Sequence, residues 1–201
     1  MTHRSARPIL SLVAALAFVA MLSGCGVNNI PTYEERAKAQ WSQVMNQYQR
    51  RADLIPNLVE TVKGFAEQEK EVLTGVVEAR AKAASVQLTP EMLSDPAAVQ
   101  KFQEAQAQLS SALSRLLVTV ERYPDLKSSQ NFLALQTQLE GTENRIAVAR
   151  RDFIDAVRVY NTELKTFPGR LWAASLYSDN EPMANFEVEE GKAETPVVKF
   201  D

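Results

Sequence analysis

Histidine and cysteine are almost absent from this sequence of 201 residues, which contains one of each, His3 and Cys25. His3 lies in an N-terminal stretch with the composition of a removable leader. Without that leader the chain has no histidine, which excludes Ser/His/Asp and Cys/His nucleophilic sites, histidine-ligated zinc and Glu-x-x-His di-iron sites. A lone cysteine also excludes an intramolecular disulfide, so side-chain packing must hold the fold together.

The sequence also lacks an excess of basic residues. Its formal net charge is −3, and the acidic residues are concentrated in residues 178–201. Because phosphate binding requires a basic surface, we predict that nucleic acid is not a partner. The same acidic segment contains few large apolar side chains, so we predict that residues 178–201 form a disordered tail.

The first 25 residues have the organisation of a bacterial lipoprotein signal. Two arginines precede an apolar run at residues 9–22 that only Ser11 interrupts, and the sequence "LSGC" ends at Cys25. As a helix the run is about 21 Å long, shorter than the roughly 30 Å hydrocarbon core of a bilayer. We therefore predict a signal peptide over residues 1–24 and a lipid on Cys25, with an uncleaved signal anchor and a secreted form without lipid as alternatives.

The residues after Cys25 bear on the membrane that the lipid would enter. Gly26 and Val27 follow the cysteine, without the aspartate typical of proteins kept at the inner membrane of bacteria that have two membranes. This favours an outer-membrane location where such a membrane exists. The predicted location is therefore the cell membrane or the outer membrane, with the protein facing the periplasm or the exterior.

Apolar residues recur at alternating steps of four and three, the spacing of helices that pack in a bundle. One such seam covers residues 37–86 and is interrupted only by Arg51 and Glu69. Since its phase continues through Pro56 without a turn signal, we predict one long helix over about 33–86 that bends near Pro56. A reversal of the chain at the proline is the alternative.

Two further seams predict helices from residue 96 to about 122 and from about 129 to 166, with a short helix after Pro168. The predicted fold is all-α, an antiparallel bundle of three to four long helices with a kinked first helix. Thr32 and Glu35 have the spacing of a capping box at the start of that helix. The predicted organisation is a signal peptide at 1–24, a lipid-anchored tether at 25–32, a helical domain at 33–177 and an acidic disordered tail at 178–201.

Three segments carry a resemblance to a known family. They are "WSQVMNQYQRRADLIPNLVETVKGFAEQEKEVL", "ALSRLLVTVERYPDLKSSQNFLALQTQLEGTENRIAVARRDFIDAVRVYN" and the "FP" that follows. Together they resemble the LemA family over about residues 40–168. The resemblance implies an all-helical, membrane-anchored envelope protein of bacteria whose molecular activity is not established. Gln68 stands where relatives often carry histidine, so no role of that histidine is carried over.

The polar residues within these segments are the candidate site residues. They are Arg50, Arg51, Asp53, Pro56, Asn57, Glu140, Glu143, Asn144, Arg145, Arg150, Arg151 and Asn161.

Around Pro56 two interpretations are open. In the structural one, Arg50, Arg51, Asp53 and Asn57 satisfy one another and the carbonyl that Pro56 leaves free, with the loop "YPDLK" as their nearest neighbour. In the functional one, they form a polar pocket for an anionic headgroup or a partner's carboxylate, because arginine pairs readily with such oxygens.

The stretch "EGTENRIAVARRD" raises a similar choice. Glu140, Glu143 and Asp152 could resemble paired catalytic carboxylates. Arginines 145, 150 and 151 stand within two helical turns, so ion pairing on or between helices is the favoured interpretation.

Each predicted long helix has a polar residue on its apolar seam. If the helices run antiparallel from short connections, Glu69, Gln106 and Thr142 fall at nearly the same height. We therefore predict one buried polar layer, a device that fixes the register of helices at some cost in stability.

The favoured function is a non-enzymatic, lipid-anchored scaffold or adaptor of the bacterial cell envelope. An envelope module that binds a ligand or lipid headgroup through the arginine-rich kink at residues 50–57 is the alternative, and an enzyme would have to use carboxylates and a metal alone. We expect no enzymatic activity, no cofactor and no metal. The expected partners are the membrane, through the N-terminal lipid, and other envelope proteins or a second copy of the chain.

Overall fold

The computed structural model describes residues 26–186, and every regular element within this range is helical. The helices are α1 (Asn29–Lys63), α2 (Lys70–Ser85), α3 (Pro96–Val120), α4 (Pro124–Lys127), α5 (Gln130–Lys165) and α6 (Gly169–Ser175), with a 3₁₀ turn at Pro90–Ser94 between α2 and α3. The predicted all-α class is confirmed for these residues. The predicted signal peptide, Cys25 and residues 187–201 lie outside the described part of the chain.

The four long helices form an up-down-up-down bundle. The side chain of Arg80 on α2 donates to the carbonyl of Ala52 on α1, at 2.8 Å, so α2 runs back along α1. Arg51 then contacts both Gln106 of α3 and Glu143 of α5. Helix α1 packs chiefly on α5, and α2 packs chiefly on α3. This arrangement is the simplest topology of a four-helix bundle with short connections.

The prediction of one continuous first helix to residue 86 is wrong, because the chain reverses at residues 64–69. Helix α1 ends at Lys63 with Gly64 as its C-cap, and α2 begins at Lys70. In the turn, Phe65 continues the apolar spacing of the sequence although its side chain is 49% exposed, while the adjacent Ala66 is fully buried. The apolar spacing therefore continues through a reversal, which is why the heptad pattern did not reveal it.

Pro56 lies inside α1 and the chain does not reverse there, as predicted. Proline has no N–H, so the carbonyl four residues earlier, that of Ala52, loses its helical partner. Arg80 of α2 donates its Nε–H to this carbonyl. The prediction that neighbouring residues of α1 would satisfy it is wrong, because the neighbouring helix supplies the donor.

The predicted helix starts are confirmed at α3 and α5 and wrong at α1. The Asp95 side chain accepts from the backbone N–H groups of the first turn of α3, and Ser129 accepts from Phe132 at the start of α5. Helix α1 begins earlier than predicted, at Asn29, so Thr32 lies inside its first turn. There the Thr32 hydroxyl donates to the carbonyl of Asn28, and no capping box forms.

Residues 178–186, predicted as the beginning of a disordered tail, pack against the bundle. The Asn161 side chain of α5 forms two hydrogen bonds with the backbone of Met183, at 2.8 and 2.9 Å. The backbone N–H of Ala184 donates to the carbonyl of Leu93, and the ring of Phe186 is buried. The two apolar side chains Met183 and Phe186 give this otherwise polar segment a reason to dock.

Candidate functional site: a buried arginine between two apolar cores

The interior of the bundle consists of two apolar clusters with polar residues between them. The proximal core lies at the end where α1 begins and contains Trp41, Tyr48, Phe102, Ile146, Phe153, Tyr160 and Phe186 among its larger members. The distal core lies at the end with the turn 64–69 and contains Ile55, Leu58, Val62, Leu109, Leu113, Leu116, Phe132 and Leu139. Arg51, Gln106 and Thr142 are buried at the boundary between them.

Arg51 is the centre of this boundary. Its residue surface is 1% exposed, and its guanidinium reaches α3 and α5 from the middle of α1. One terminal nitrogen donates to Ser110 Oγ at 2.9 Å and to Glu143 Oε1 at 2.8 Å. The other donates to Gln106 Oε1 at 2.6 Å. Three of the four long helices are therefore joined through one side chain.

The environment of Arg51 is asymmetric in its exposure to water. The Glu143 side chain is 42% exposed, so the anion of the pair is hydrated while the cation is buried. On the proximal side the guanidinium lies 5.1 Å from the centre of the Tyr48 ring, a cation–π distance. Burial raises the pKa of Tyr48 above its usual range, and the nearby Arg150 and Arg51 oppose that rise.

The predicted polar layer is correct for Gln106 and Thr142 and wrong for Glu69. Gln106 and Thr142 are both buried, and the Thr142 hydroxyl donates to the carbonyl of Gln138 within its own helix. Glu69 lies instead at the distal end, where it accepts from Arg122 and from Tyr123 Oη. The reversal at residues 64–69 places Glu69 in the turn, and Arg51 supplies the charged member of the layer.

The other polar residues around Pro56 do not form a pocket with Arg51. Arg50, Asp53 and Asn57 are exposed, and the Asp53 carboxylate accepts from Gln49 on its own helix at 2.8 Å. The loop "YPDLK" contacts Glu69 through Tyr123 and is not a neighbour of Arg51. Both terminal nitrogens of the Arg51 guanidinium are occupied by partners from its own chain, whereas its buried Nε has no hydrogen-bond partner among the described residues. The contacts of the terminal nitrogens favour the structural interpretation.

The candidate residues of α5 have separate partners and do not converge. Glu140 accepts from Gln136, whereas Glu143 accepts from Arg51. Arg150 lies 4.9 Å from the centre of the Phe186 ring, and Asn161 holds the backbone of Met183. Arg151 pairs with the adjacent Asp152 at 3.7 Å on the surface, while Asn144 and Arg145 are exposed. The favoured ion-pair interpretation is therefore correct for Glu143, whose partner is Arg51 of α1. Glu140 and Glu143 have different partners and are not arranged as a pair of catalytic carboxylates.

A shallow groove lies between α2 and α3. Its volume is about 360 Å³, and it is lined by Gly75, Glu78, Ala79, Lys82, Gln108, Ser111 and Arg115. Within residues 26–186 no three His, Cys, Asp or Glu side chains are grouped so that they could hold a metal ion. In the same range no helix is both long enough and apolar enough to cross a bilayer.

Chemically, the Arg51 site can hold helices in register, and it presents no activated nucleophile. Its hydrogen bonds join α1 to α3 and α5 at one height, so any shift of a helix would leave a buried donor or acceptor unpaired. A single buried polar layer of this kind specifies one alignment of a bundle. The sequence signal for it was the interruption of an apolar seam by Arg51.

These features define a helical-bundle protein whose principal polar site is built into its core. The chain belongs to the LemA family, whose model matches residues 40–200. It is similar to the magnetosome proteins MamQ 1 and MamQ 2 of Paramagnetospirillum magneticum, each 26% identical over 206 aligned positions that cover 94% of this chain and 74% of the relative. It is also similar to the magnetosome protein MamQ of Magnetospirillum gryphiswaldense, 27% identical over 176 positions that cover 80% of this chain and 63% of the relative.

Proposed function

We propose that this protein is a membrane-anchored, non-enzymatic scaffold or adaptor of the bacterial cell envelope, held by a lipid on Cys25. The observation that carries the proposal is the short distance in sequence between Cys25 and the folded domain. The described chain starts at Gly26 and α1 begins at Asn29, so a lipid on Cys25 would hold the bundle directly against the bilayer. Only residues 26–28 separate Cys25 from the first residue of α1.

The polar chemistry of the bundle supports a non-enzymatic role. Arg51, the one fully buried charged side chain among residues 26–186, is bound by Gln106, Ser110 and Glu143. Its interactions stabilise a particular alignment of helices, which is what a scaffold requires. The MamQ relatives are named for a subcellular structure and not for a reaction, which agrees with a structural role.

Anchoring is tested by the substitution Cys25→Ser in cells supplied with a radiolabelled fatty acid. The wild-type protein is expected to carry the label, and the variant is expected to remain as an unlabelled, slower-migrating precursor. Ser42→Ala, which changes an exposed hydroxyl on α1, is the control and should label as the wild type does. An unlabelled wild-type protein would reject the lipid anchor and favour an uncleaved signal anchor.

The adaptor role is tested by crosslinking in living cells. A photoreactive amino acid at Val118, an apolar side chain that is 71% exposed on α3, should capture an envelope protein or a second copy of the chain. Mass spectrometry identifies the product, and the same probe in the Cys25→Ser background should lose it. Products that are unchanged without the anchor would contradict a role that depends on membrane attachment.

A further inference from the structure

Three apolar side chains on and beside helix α6 are exposed. Phe167, Leu171 and Leu176 are 82%, 55% and 63% exposed. Two other side chains of the same segment, Trp172 and Ala173, pack against the proximal core. Residues 167–176 therefore dock on the bundle and also present an exposed apolar patch, the α6 patch, formed by Phe167, Leu171 and Leu176.

The α6 patch lies beside the point where the chain enters the bundle. Gly26 is so close to α6 that a methyl group added to it would lie 3.5 Å from Pro168 Cγ. Nearby, the Asn29 side chain donates to Glu163 at 3.1 Å and joins the first turn of α1 to the last turns of α5. In the sequence, Gly26 directly follows Cys25 and the apolar run at residues 9–22. Either form of membrane attachment would bring α6 to the bilayer.

Basic residues stand beside Phe167 in the sequence, and the exposed carboxylates Asp179 and Glu181 follow Leu176. Lys165 and Arg170 are exposed and flank Phe167 in the sequence. Amphipathic segments with apolar side chains on one face and basic residues beside them lie in the headgroup region of membranes, roughly 5–10 Å deep. Basic residues near an anionic surface add to that attraction.

We propose that the α6 patch, formed by Phe167, Leu171 and Leu176, lies on the lipid bilayer as a second contact beside the N-terminal anchor. This inference rests on the proposed membrane attachment and adds an orientation to it. An anchor at one point leaves the bundle free to rotate, whereas two adjacent contacts hold its proximal end down. The distal turn at residues 64–69 then projects outward along α1, whose 35 residues span about 52 Å.

The test uses the full chain, purified from membranes and reconstituted into vesicles of phosphatidylethanolamine and phosphatidylglycerol. Leu171→Cys is labelled with a polarity-sensitive dye, and the vesicles carry a nitroxide quencher on their lipids. Leu133→Cys is the matched control, because Leu133 is also an exposed leucine, at 47%, but lies near the distal start of the 36-residue helix α5. The dye at position 171 is expected to shift to the blue and lose most of its emission, whereas the dye at position 133 keeps its emission.

A second variant separates lipid contact from general disturbance of the fold. Leu171→Glu combined with Leu176→Glu should leave the thermal unfolding midpoint unchanged, because both side chains are exposed. A dye placed by Phe167→Cys in that background should escape the lipid quencher, whereas the same dye in the parent chain should be quenched.

Two results would overturn the proposal. Equal quenching at positions 171 and 133 would show no preferred orientation, and a blue shift at 171 without lipid quenching would show that protein covers α6. Dye labelling of the wild-type protein distinguishes failure of this proposal from failure of the lipid anchor. A lipidated Cys25 has no free thiol, so the wild-type protein should not react with the dye. Labelling of the wild type would reject the lipid on Cys25, and the α6 comparison would then be made in the Cys25→Ser background.

Discussion

The proximal and distal cores are built from different side chains, although the same helices pass through both. The distal core is mainly aliphatic and lies between four helices that pack side by side. The proximal core is rich in aromatic rings and also contains side chains from connecting segments, such as Leu88, Leu93, Met183 and Phe186. Regular helix packing suits aliphatic seams, whereas the irregular space at the proximal end is filled by large rings.

The difference follows from the lengths of the helices. Helices α1 and α5 have 35 and 36 residues, whereas α2 and α3 have 16 and 25. Because α2 and α3 are shorter, they do not cover α1 and α5 completely at the proximal end. The segments 86–94 and 176–186 cover the surfaces of α1 and α5 that are left open there. The end predicted to face the membrane is therefore the end where the fold depends on parts outside the bundle.

Trp41 is the hub of the proximal core. Its ring lies 5.4 Å from that of Phe102, 5.3 Å from Phe153 and 5.8 Å from Phe186. Its indole Nε1–H donates to the carbonyl of Leu88 at 3.0 Å, so the ring also fixes the connection between α2 and α3. One side chain thereby joins α1, α3, α5 and both covering segments.

The largest expected effect comes from Trp41→Ala. Removing a buried tryptophan should lower the free energy of unfolding by about 3–5 kcal/mol and release residues 181–186 to proteolysis. Phe132→Ala, which removes a ring buried in the distal core, is the matched control. It should lower stability by a similar amount without exposing that segment. Equal cleavage of both variants, probed by limited proteolysis in native buffer, would contradict the division into two cores.

The polar boundary should respond asymmetrically to loss of its two charges. Glu143→Leu leaves the buried Arg51 cation without its anion and should cost about 3–5 kcal/mol. Arg51→Met leaves the Glu143 carboxylate accessible to water and leaves the Gln106 carbonyl oxygen without a donor. The free energy of unfolding should therefore fall by about 1–3 kcal/mol. Urea unfolding measures both. Glu140→Leu, an exposed change one turn away, should stay within about 0.5 kcal/mol, and an equal cost for Arg51 and Glu143 would contradict the asymmetry.

The docked segment should depend on Asn161. Asn161→Ala removes both hydrogen bonds to the Met183 backbone and should lower stability by about 1–2 kcal/mol. Hydrogen exchange should accelerate at residues 181–186 and remain unchanged in the distal core. Asn144→Ala, an exposed asparagine on the same helix, should change neither quantity. Unchanged exchange in the Asn161 variant would mean that Phe186 alone holds the segment.

The smallest effect concerns pH. Burial raises the pKa of Tyr48 in the folded chain, so the unfolded chain loses this phenolic proton first, at about pH 10. The stabilisation is complete below that pH and is lost as the pH rises through the folded-state pKa. Tyr48→Phe should therefore behave as the wild type at neutral pH and lose less stability as the pH rises above about 10. Denaturant titrations at each pH measure the free energy of unfolding of both proteins. If the two plots of this free energy against pH are parallel, the prediction is wrong.

Helix class and helix ends were predictable where local chemistry decides them. Apolar seams indicated α3 and α5 correctly, and the structure adds caps at Asp95 and Ser129. The reversal at residues 64–69 was missed because Phe65 keeps the apolar spacing through the turn, although its side chain is 49% exposed there. Docking of Met183 and Phe186 was missed because two apolar residues in an acidic stretch gain stability only from a surface formed elsewhere in the chain.

The polar layer shows the same limit at the candidate site. Interruptions of the seams identified Gln106 and Thr142 without any knowledge of contacts. The predicted register between helices depended on the position of the reversal. Because that position was wrong, the predicted layer contained Glu69, whereas the layer in the structure contains Arg51. Spacing along one helix is a local property, whereas the height at which two helices meet depends on every connection between them.

Attachment of the proximal end to the membrane by a lipid on Cys25 is the central claim, and intact mass spectrometry of the protein extracted from membranes tests it most directly. The account predicts a chain that begins at Cys25 and carries the added mass of a diacylglyceryl group on that residue. A chain that retains residues 1–24 with an unmodified Cys25 would contradict it.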